Sequence, residues 1–290
     1  MNLILGTVQL GLDYGILKKK PTIEQSKEIL NFAIDSKIMT FDTAQGYGNS
    51  EEILSNISDN ENITIITKID FENLNTEKEI LDKINISLKR LNVKKIDVLL
   101  LHSFNDFRNK NLLDILFSLK NKNIIDKIGV SLYNLEEALE VLDDNRISIL
   151  QIPFNYLDRQ WDSKLFQEKI KLNSVDIHVR SIFLQGILIN DYEFWPKFKD
   201  FNTKQVYDKV ESITNRFNLS KLELVISYVN SCKWINKIIF GVDNIEQLQT
   251  NINQFNNSSI LDENKINEIN NEFSNIHTKL TNPVFWNKNL

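Results

Sequence analysis

Four ionisable side chains in the first 102 residues could together move a proton: Asp42, Tyr47, Lys68 and His102. A tyrosine phenol can deliver a proton to a carbonyl oxygen, although its ordinary pKa of about 10 is high for reversible transfer near neutral pH. A neighbouring ammonium would lower that pKa, and a carboxylate would keep the ammonium charged and in place. An imidazole could orient the carbonyl or share the proton. These residue types predict an acid–base site.

The positions of these residues predict that they meet in space. Asp42, Lys68 and His102 each end a strand-like run, and Tyr47 follows Asp42 by five positions. In a parallel α/β barrel, the carboxyl ends of the strands form the rim that carries the active site. Each residue alone also has an ordinary structural interpretation, such as a helix cap for Asp42. All four in this order favour the catalytic interpretation.

Short apolar runs alternate with amphipathic helical patterns along the whole chain. Eight runs are typical of strands that are covered on both faces. They span Leu3–Thr7, Thr40–Asp42, Ile63–Lys68, Ile96–His102, Lys127–Ser131, Ser148–Pro153, Asp176–Ser181 and Ile235–Phe240. Helical patterns lie between them at Glu24–Ser36, Glu77–Leu91, Leu135–Leu142 and Lys204–Phe217. Eight strand–helix units predict an α/β fold of the (β/α)8 TIM-barrel type.

The rest of the chain predicts additions to one barrel. Residues 1–290 contain no linker and no repeat beyond the strand–helix alternation, so we expect a single domain. The stretch Ile182–Ser220 predicts a rim insertion with more than one short helix. Asp262–Ile276 predicts an extra C-terminal helix, and the aromatic residues of Thr281–Leu290 predict a docked tail.

Composition excludes several classes of protein. The 290 residues are 42% hydrophobic and 25% charged, as in globular proteins. A net charge of −5 argues against a broad nucleic-acid surface. Apolar runs fall short of the roughly 20 residues of a membrane span, and the first residues lack signal-peptide features. We therefore expect a cytoplasmic protein without a membrane or nucleic-acid partner. The single cysteine, Cys232, cannot form an intrachain disulfide and is expected in the core.

Motifs around the four candidate residues follow one another in a fixed order. Phe41–Ala44 is followed by Tyr47–Glu52, and then by Thr67–Lys68 and Ile96–His102. In order and spacing these segments resemble the second, third and fourth strands of the aldo-keto reductase family. The resemblance starts at Leu5–Thr7, and its later motifs are Ile128–Ser131, Gln151 and Ile239–Leu248.

This resemblance implies a (β/α)8 barrel that binds NADP(H) or NAD(H), uses no metal and reduces an aldehyde or ketone to an alcohol. Tyr47 would be the general acid, Lys68 and Asp42 would tune it, and His102 would orient the carbonyl. The cofactor-binding residues implied by the resemblance are Thr7, Asp42, Ser131, Gln151, Ser181, Leu184, Gly186, Gly241, Gln247 and Asn251. The N-terminus of the helix that begins near Asn244 would bind phosphate.

The sequence departs from the family pattern at three positions. Leu132 follows Ser131 where the family often has asparagine, which removes one contact to the nicotinamide carboxamide. Gly241 and Gln247 stand where members that prefer NADP(H) often carry a lysine and an arginine. The choice between the two dinucleotides therefore stays open. Arg180 has two interpretations, a cap on a barrel strand or a ligand for a substrate anion or cofactor phosphate.

Two other functions compete with the reductase interpretation. One is a non-catalytic dinucleotide-binding module that senses redox state, because a fold does not fix a function. The other is a barrel lyase in which Lys68 forms a Schiff base. For the reductase, Gly6–Gly15 and Arg180–Gly186 are similar to a bacterial subgroup associated with surface-polysaccharide metabolism. That similarity implies a small-molecule substrate with a sugar or nucleotide-sugar carbonyl.

Overall fold

Eight parallel strands close into a barrel in which each strand pairs with the next and β8 pairs with β1. The computed structural model describes residues 2–15, 19–74 and 76–288, with the backbone alone for residues 287 and 288. The strands are β1 (Leu3–Gly6), β2 (Thr40–Asp42), β3 (Thr64–Ile69), β4 (Ile96–Leu101), β5 (Ile125–Ser131), β6 (Ile149–Pro153), β7 (Asp176–Arg180) and β8 (Lys237–Phe240). The predicted (β/α)8 barrel is confirmed, with strand ends that differ by one or two residues.

Helices surround the barrel and lie between successive strands. They are α1 (Val8–Gly11), α2 (Ile23–Asp35), α3 (Ser50–Leu54), α4 (Glu77–Leu91), α5 (Phe104–Arg108), α6 (Lys110–Asn121), α7 (Leu135–Val141), α8 (Lys164–Asn173), α9 (Thr203–Phe217), α10 (Lys221–Ser231), α11 (Ile245–Asn257), α12 (Glu263–Glu272) and α13 (Thr278–Thr281). Short 3-10 segments are Gln160–Asp162, Leu184–Ile189, Tyr192–Phe194 and Pro283–Lys288. Among the described residues, no helix is long and apolar enough to cross a membrane.

Local sequence signals start several of these helices. Capping boxes, in which two side chains satisfy each other's free backbone N–H groups, begin three of them. The pairs are Thr22 with Gln25 at α2, Thr76 with Glu79 at α4, and Ser220 with Glu223 at α10. In α4, the apolar residues Ile80, Ile84 and Leu91 share one face and are buried. This amphipathic pattern packs the helix against the barrel.

Two apolar clusters form the core on the two sides of the strands. The larger cluster combines strand residues with helix residues. The smaller one contains strand residues alone, namely Ile4, Ile66, Val98, Leu100, Ile149 and Ile239. Because side chains alternate across a strand, this smaller cluster fills the interior of the barrel. Lys68 and Gln151 lie two residues beyond Ile66 and Ile149, so they point inward one layer closer to the rim.

The additions to the barrel that the sequence predicted are present in the structure. After β7, two 3-10 segments precede α9, and α12 follows α11 near the C-terminus. The Trp286 indole N–H donates to the carbonyl oxygens of Lys279 and Leu280, both at 3.1 Å. These bonds tie the aromatic tail to α13. The last two residues of the predicted tail lie outside the described residues.

Candidate active site

A buried ion pair lies at the centre of the site. Lys68 Nζ donates to Asp42 Oδ2 at 2.6 Å and to the Thr43 carbonyl oxygen at 2.8 Å. Gln151 Nε2 donates to the other Asp42 oxygen at 2.6 Å. The ends of β2, β3 and β6 position these side chains, which are 4% exposed for Asp42 and 1% for Lys68. With both ions buried, the pair is held by fixed hydrogen bonds rather than by water.

Tyr47 and His102 lie beside this pair. The Lys68 ammonium is 5.0 Å from the centroid of the Tyr47 ring. The Tyr47 and His102 rings meet edge to face, with centroids 6.2 Å apart. The structure thus brings together all four side chains that the sequence placed at strand ends.

Two glycines fix the loop that carries Tyr47. A methyl group on Gly11 would lie 1.8 Å from the Tyr47 carbonyl oxygen. Gly48 has a φ of +56°, and a methyl group there would lie 2.3 Å from the Gly11 carbonyl oxygen. A side chain at either position would displace one backbone from the other. Contact between α1 and the loop after β2 therefore positions the phenol.

Burial controls the ionisation of Tyr47. It raises the pKa of the phenol above the ordinary value, and the nearby Asp42 carboxylate raises that pKa further. The expectation that the ammonium would lower the pKa is not met, because burial and the Asp42 charge dominate the shift. The phenol therefore keeps its proton near neutral pH and can act as a donor.

The other two titratable groups are also shifted by burial. Burial lowers the pKa of the Lys68 ammonium, and the Asp42 charge and hydrogen bond oppose that shift. Burial, reinforced by the positive charge of Lys68, lowers the pKa of His102 to about 4. The imidazole is therefore neutral at pH 7 and can donate one N–H hydrogen bond.

A hydroxyl network supports the base of the site. Thr7 Oγ1 donates to the Asp42 carbonyl oxygen at 2.9 Å and lies 2.6 Å from Ser50 Oγ. Thr43 Oγ1 donates to the same Ser50 oxygen at 2.9 Å. The Thr7 hydroxyl is thus hydrogen-bonded within the protein and connects the end of β1 to β2 and α3.

One cavity of about 620 Å³, here called the catalytic cavity, contains the four candidate catalytic residues. Most of the residues that the resemblance assigned to the cofactor also line this cavity, namely Thr7, Ser131, Ser181, Gly186, Gly241, Gln247 and Asn251. Two residues of that set do not line it. Leu184 is buried with 1% exposure, and Gln151 is fully buried and bonded to Asp42. The volume is in the usual range for a small-molecule site.

The loop after β7 forms one wall of the catalytic cavity in an uncommon backbone conformation. Ser181, Leu184 and Gln185 have φ values of +59°, +47° and +54°, and Gly186 has +100°. Residues other than glycine rarely adopt positive φ, and such strain is concentrated at functional sites. The loop therefore has a conformation that the surrounding fold must maintain.

A second wall, formed by the residues after β8 and the start of α11 and here called the acidic wall, carries carboxylates. Gln247 Oε1 accepts from the Asp243 N–H at 2.8 Å, and Gln247 Nε2 donates to the Asp243 carboxylate at 3.3 Å. Glu246 also faces the cavity from the first turn of α11. Among the described lining residues, the cations are Lys68 and Arg180, and Lys68 is already paired. No lysine or arginine of the described chain faces this wall.

The lining residues that were not predicted as site residues from the sequence include the polar side chains of Gln9, Tyr14, Tyr133, Asp243 and Glu246. Gln9 and Tyr14 belong to the motif Gly6–Gly15, which the sequence analysis used only for the subgroup resemblance. The two carboxylates belong to the motif Ile239–Leu248, which the sequence analysis used for the family resemblance, and Tyr133 carries no local signal because its place depends on how the loop after β5 folds. In the described chain, no cluster of three or more histidine, cysteine or acidic residues could hold a metal ion.

Comparison with known proteins decides the family. The sequence profile described as the aldo/keto reductase family matches residues 2–271. The chain belongs to the aldo/keto reductase family. The matched residues make up nearly the whole of this aldo-keto reductase and include all eight strands. No curated protein matches the sequence at a significant level.

Solved structures of aldo-keto reductases share the fold. A Pseudomonas aeruginosa protein assigned to this family is 21% identical, with a TM-score of 0.65 over 88% of this chain and 89% of that chain. The holo form of an aldo-keto reductase from Bacillus halodurans is 17% identical, with a TM-score of 0.78 over 97% of this chain and 95% of that chain. At such identities, the likeness concerns the fold alone.

Proposed function

We propose that this aldo-keto reductase reduces an aldehyde or ketone to an alcohol, with NADH or NADPH as the hydride source. The observation that carries the proposal is the Tyr47 phenol, held beside a buried Lys68–Asp42 ion pair and the His102 imidazole in one cavity. Family membership supports the reaction type.

The residues of the cavity other than the four catalytic candidates fit a nicotinamide dinucleotide. Gln9 Oε1, at the cavity wall, is a buried acceptor without a hydrogen-bond partner in the described chain. A ligand with amide and hydroxyl donors would satisfy this acceptor. Ser131 would hold the carboxamide, while Ser181, Gly186, Gly241 and Asn251 would contact the rest. When bound, the dinucleotide supplies a hydride.

Each catalytic side chain has a distinct part in this proposal. His102 donates an N–H hydrogen bond to the substrate carbonyl oxygen and orients it. The Tyr47 hydroxyl gives its proton to that oxygen as negative charge develops there. The Lys68 ammonium stabilises the resulting phenolate through space, and Asp42 keeps Lys68 charged and fixed. Gln151 and Thr43 hold the ion pair, so little reorganisation is needed.

The contacts of Lys68 weigh against the Schiff-base alternative. A Schiff base requires a neutral amine with a free lone pair. Here the nitrogen donates to Asp42 and to the Thr43 carbonyl oxygen, which favours the ammonium. Trapping with borohydride in the presence of 4-nitrobenzaldehyde should therefore leave Lys68 unmodified.

Turnover of a simple carbonyl compound tests the proposed function. Purified protein with NADH or NADPH should reduce 4-nitrobenzaldehyde, measured as loss of the reduced dinucleotide and appearance of the alcohol. Binding of a dinucleotide with no turnover of any aldehyde or ketone would support the redox-sensing module instead. Absence of dinucleotide binding would contradict both.

The acidic wall predicts a preference for NADH. A 2′-phosphate on this wall would meet Asp243 and Glu246 without a described lysine or arginine. It would then lack the charge-assisted hydrogen bonds that normally bind phosphate. We expect the Kd of NADPH to exceed that of NADH by about 10-fold or more. Titration of the protein with each dinucleotide, followed by tryptophan fluorescence, measures both constants.

A charge reversal checks the cause of this preference. Glu246→Lys should lower the Kd of NADPH by about 10-fold relative to that of NADH. Glu263→Lys makes the same charge change in the first turn of α12, away from the cavity, and serves as the control. Tighter binding of NADPH than of NADH by the unmodified protein would contradict the prediction and indicate another cation at the phosphate.

A further inference from the structure

His178 lies on β7 with its side chain inside the barrel. Its neighbours along the strand, Ile177 and Val179, belong to the larger apolar cluster outside the strands, so His178 points the opposite way. The side chain is only 2% exposed. Because the barrel interior below the catalytic residues is filled mainly by the smaller apolar cluster, an imidazole is an unexpected side chain at this position.

The His178 imidazole is neutral and has no partner for its polar atoms. Neither ring nitrogen makes a hydrogen bond within the described chain. Burial lowers the pKa of His178 to about 3, and the positive charges of Lys237, Lys127 and Lys68 act in the same direction. The neutral ring has one N–H donor and one acceptor nitrogen. A buried polar group of this kind destabilises a fold unless a partner is within reach.

A complementary group lies next to His178. Gln151 of β6 is paired with His178 in register, so the two side chains lie side by side inside the barrel. Gln151 Nε2 donates to Asp42 Oδ1 at 2.6 Å, and because a carboxylate only accepts, this contact fixes which end of the amide faces Asp42. Gln151 Oε1 remains a buried acceptor without a partner in the described chain. Gln151 does not line the catalytic cavity, so this oxygen is shielded from it.

The next strands on either side offer other contacts. Lys237 of β8, the register partner of His178, donates to Thr40 Oγ1 at 3.4 Å. Ser131 of β5, the register partner of Gln151, lines the catalytic cavity, where it would hold the cofactor carboxamide. The donor that faces the barrel interior beside Gln151 is therefore the imidazole of His178.

We infer that His178 is a positioning residue whose ring N–H donates to Gln151 Oε1, directly or through one buried water, and so keeps Gln151 Nε2 on Asp42. This inference rests on the proposed function. A fixed Asp42 in turn holds the Lys68 ammonium beside Tyr47. Because His178 does not line the catalytic cavity, it contacts neither the substrate nor the dinucleotide.

Three substitutions at His178 separate the N–H donor from the volume of the ring. His178→Leu has a similar volume and no donor, so kcat should fall by about 10-fold while the Kd of NADH stays within about 3-fold. His178→Asn and His178→Gln carry an amide N–H about as far from the backbone as Nδ1 and Nε2. One of them should keep at least about half of kcat, which identifies the donating nitrogen. An unchanged kcat in His178→Leu, or equal losses in all three variants, would overturn the inference.

A double-variant cycle tests the route through Gln151. Gln151→Leu removes the acceptor and should itself lower kcat. Adding His178→Leu to that variant should lower kcat by less than about 2-fold further, because the contact is already lost. Losses that multiply would overturn the inference. His277, which accepts from the Lys279 N–H at 3.2 Å outside the catalytic cavity, provides the control, and His277→Leu should keep the kcat of the unmodified protein.

Failure of the inference is distinguishable from failure of the proposed function. The chain has 3 histidines, so labelling with ¹⁵N-histidine gives few ring signals in NMR spectra, and a His178 variant identifies that of His178. Without substrate, we expect a His178 ring N–H that exchanges slowly with solvent, and faster exchange in Gln151→Leu. The same exchange rate in both proteins would overturn the inference even if aldehydes are reduced. If no aldehyde is reduced, the proposed function fails, and the exchange rates still decide whether the contact exists.

Discussion

Tyr47→Phe is expected to lower kcat for aldehyde reduction by about 10²- to 10⁴-fold, which is the usual contribution of a positioned general acid. Phenylalanine keeps the ring that lies edge to face with His102 and 5.0 Å from the Lys68 ammonium, and it removes only the hydroxyl. The Kd of NADH should therefore stay within about 3-fold of the unmodified value. Steady-state kinetics and a fluorescence titration measure the two quantities.

A second tyrosine provides the control for this experiment. Tyr192→Phe removes a hydroxyl from the 3-10 segment Tyr192–Phe194, outside the catalytic cavity. Its kcat should equal that of the unmodified protein. If Tyr47→Phe kept more than about a tenth of the original kcat, another group would be the proton donor and the proposed mechanism would be wrong.

Lys68→Met is expected to remove activity and also to destabilise the fold. The change leaves the Asp42 carboxylate buried with Gln151 as its remaining side-chain partner. Removing one member of a buried ion pair typically costs about 3–5 kcal/mol of unfolding free energy. Urea denaturation measures the stability, and kcat should fall by at least about 10²-fold because the phenolate loses its counter-charge.

The double variant Lys68→Met/Asp42→Asn separates the two effects. Neutralising Asp42 removes the uncompensated charge, so most of the lost stability should return while kcat stays low. Recovery of activity together with stability would show that Lys68 acts only through the fold. A loss below about 1 kcal/mol in the single variant would mean that water or another group reaches Asp42.

The architecture was predictable because local sequence patterns indicate its strands and helices. Strands that are buried on both faces give continuous apolar runs, and each of the eight predicted runs contains an observed strand or overlaps one. The boundaries were less accurate: β5 starts at Ile125 rather than Lys127, and β8 starts at Lys237 rather than Ile235. The first and last residues of a strand depend on how it pairs with neighbouring strands, and the local sequence does not contain that information.

The arrangement of the candidate site was predictable only in part. Asp42, Tyr47, Lys68 and His102 could be placed because each lies at or near a strand end. The hydrogen bond from Gln151 to Asp42 joins residues 109 positions apart and carries no local signal. The direction of the Tyr47 pKa shift was predicted wrongly, because residue types reveal a neighbouring charge but not the extent of burial.

Contacts between distant loops could not be predicted at all. Asp243 and Glu246 line the cavity because α11 begins at the cavity rim. Tyr133, after β5, meets Arg180 at the end of β7, although β6 lies between these two strands. Leu184 was itself predicted to contact the cofactor, yet its side chain is buried in the core. Its positive φ and that of Gln185 show that the loop follows an irregular path that no periodic pattern encodes.

Isotope transfer tests the central proposal most directly. NADH that carries deuterium at the transferable position is mixed with 4-nitrobenzaldehyde and the protein, and the alcohol is analysed by mass spectrometry. We expect one deuterium on the alcohol carbon, and almost no labelled alcohol with Tyr47→Phe over the same time. Alcohol without deuterium, or no alcohol from any aldehyde or ketone with either dinucleotide, would contradict a hydride-transferring reductase.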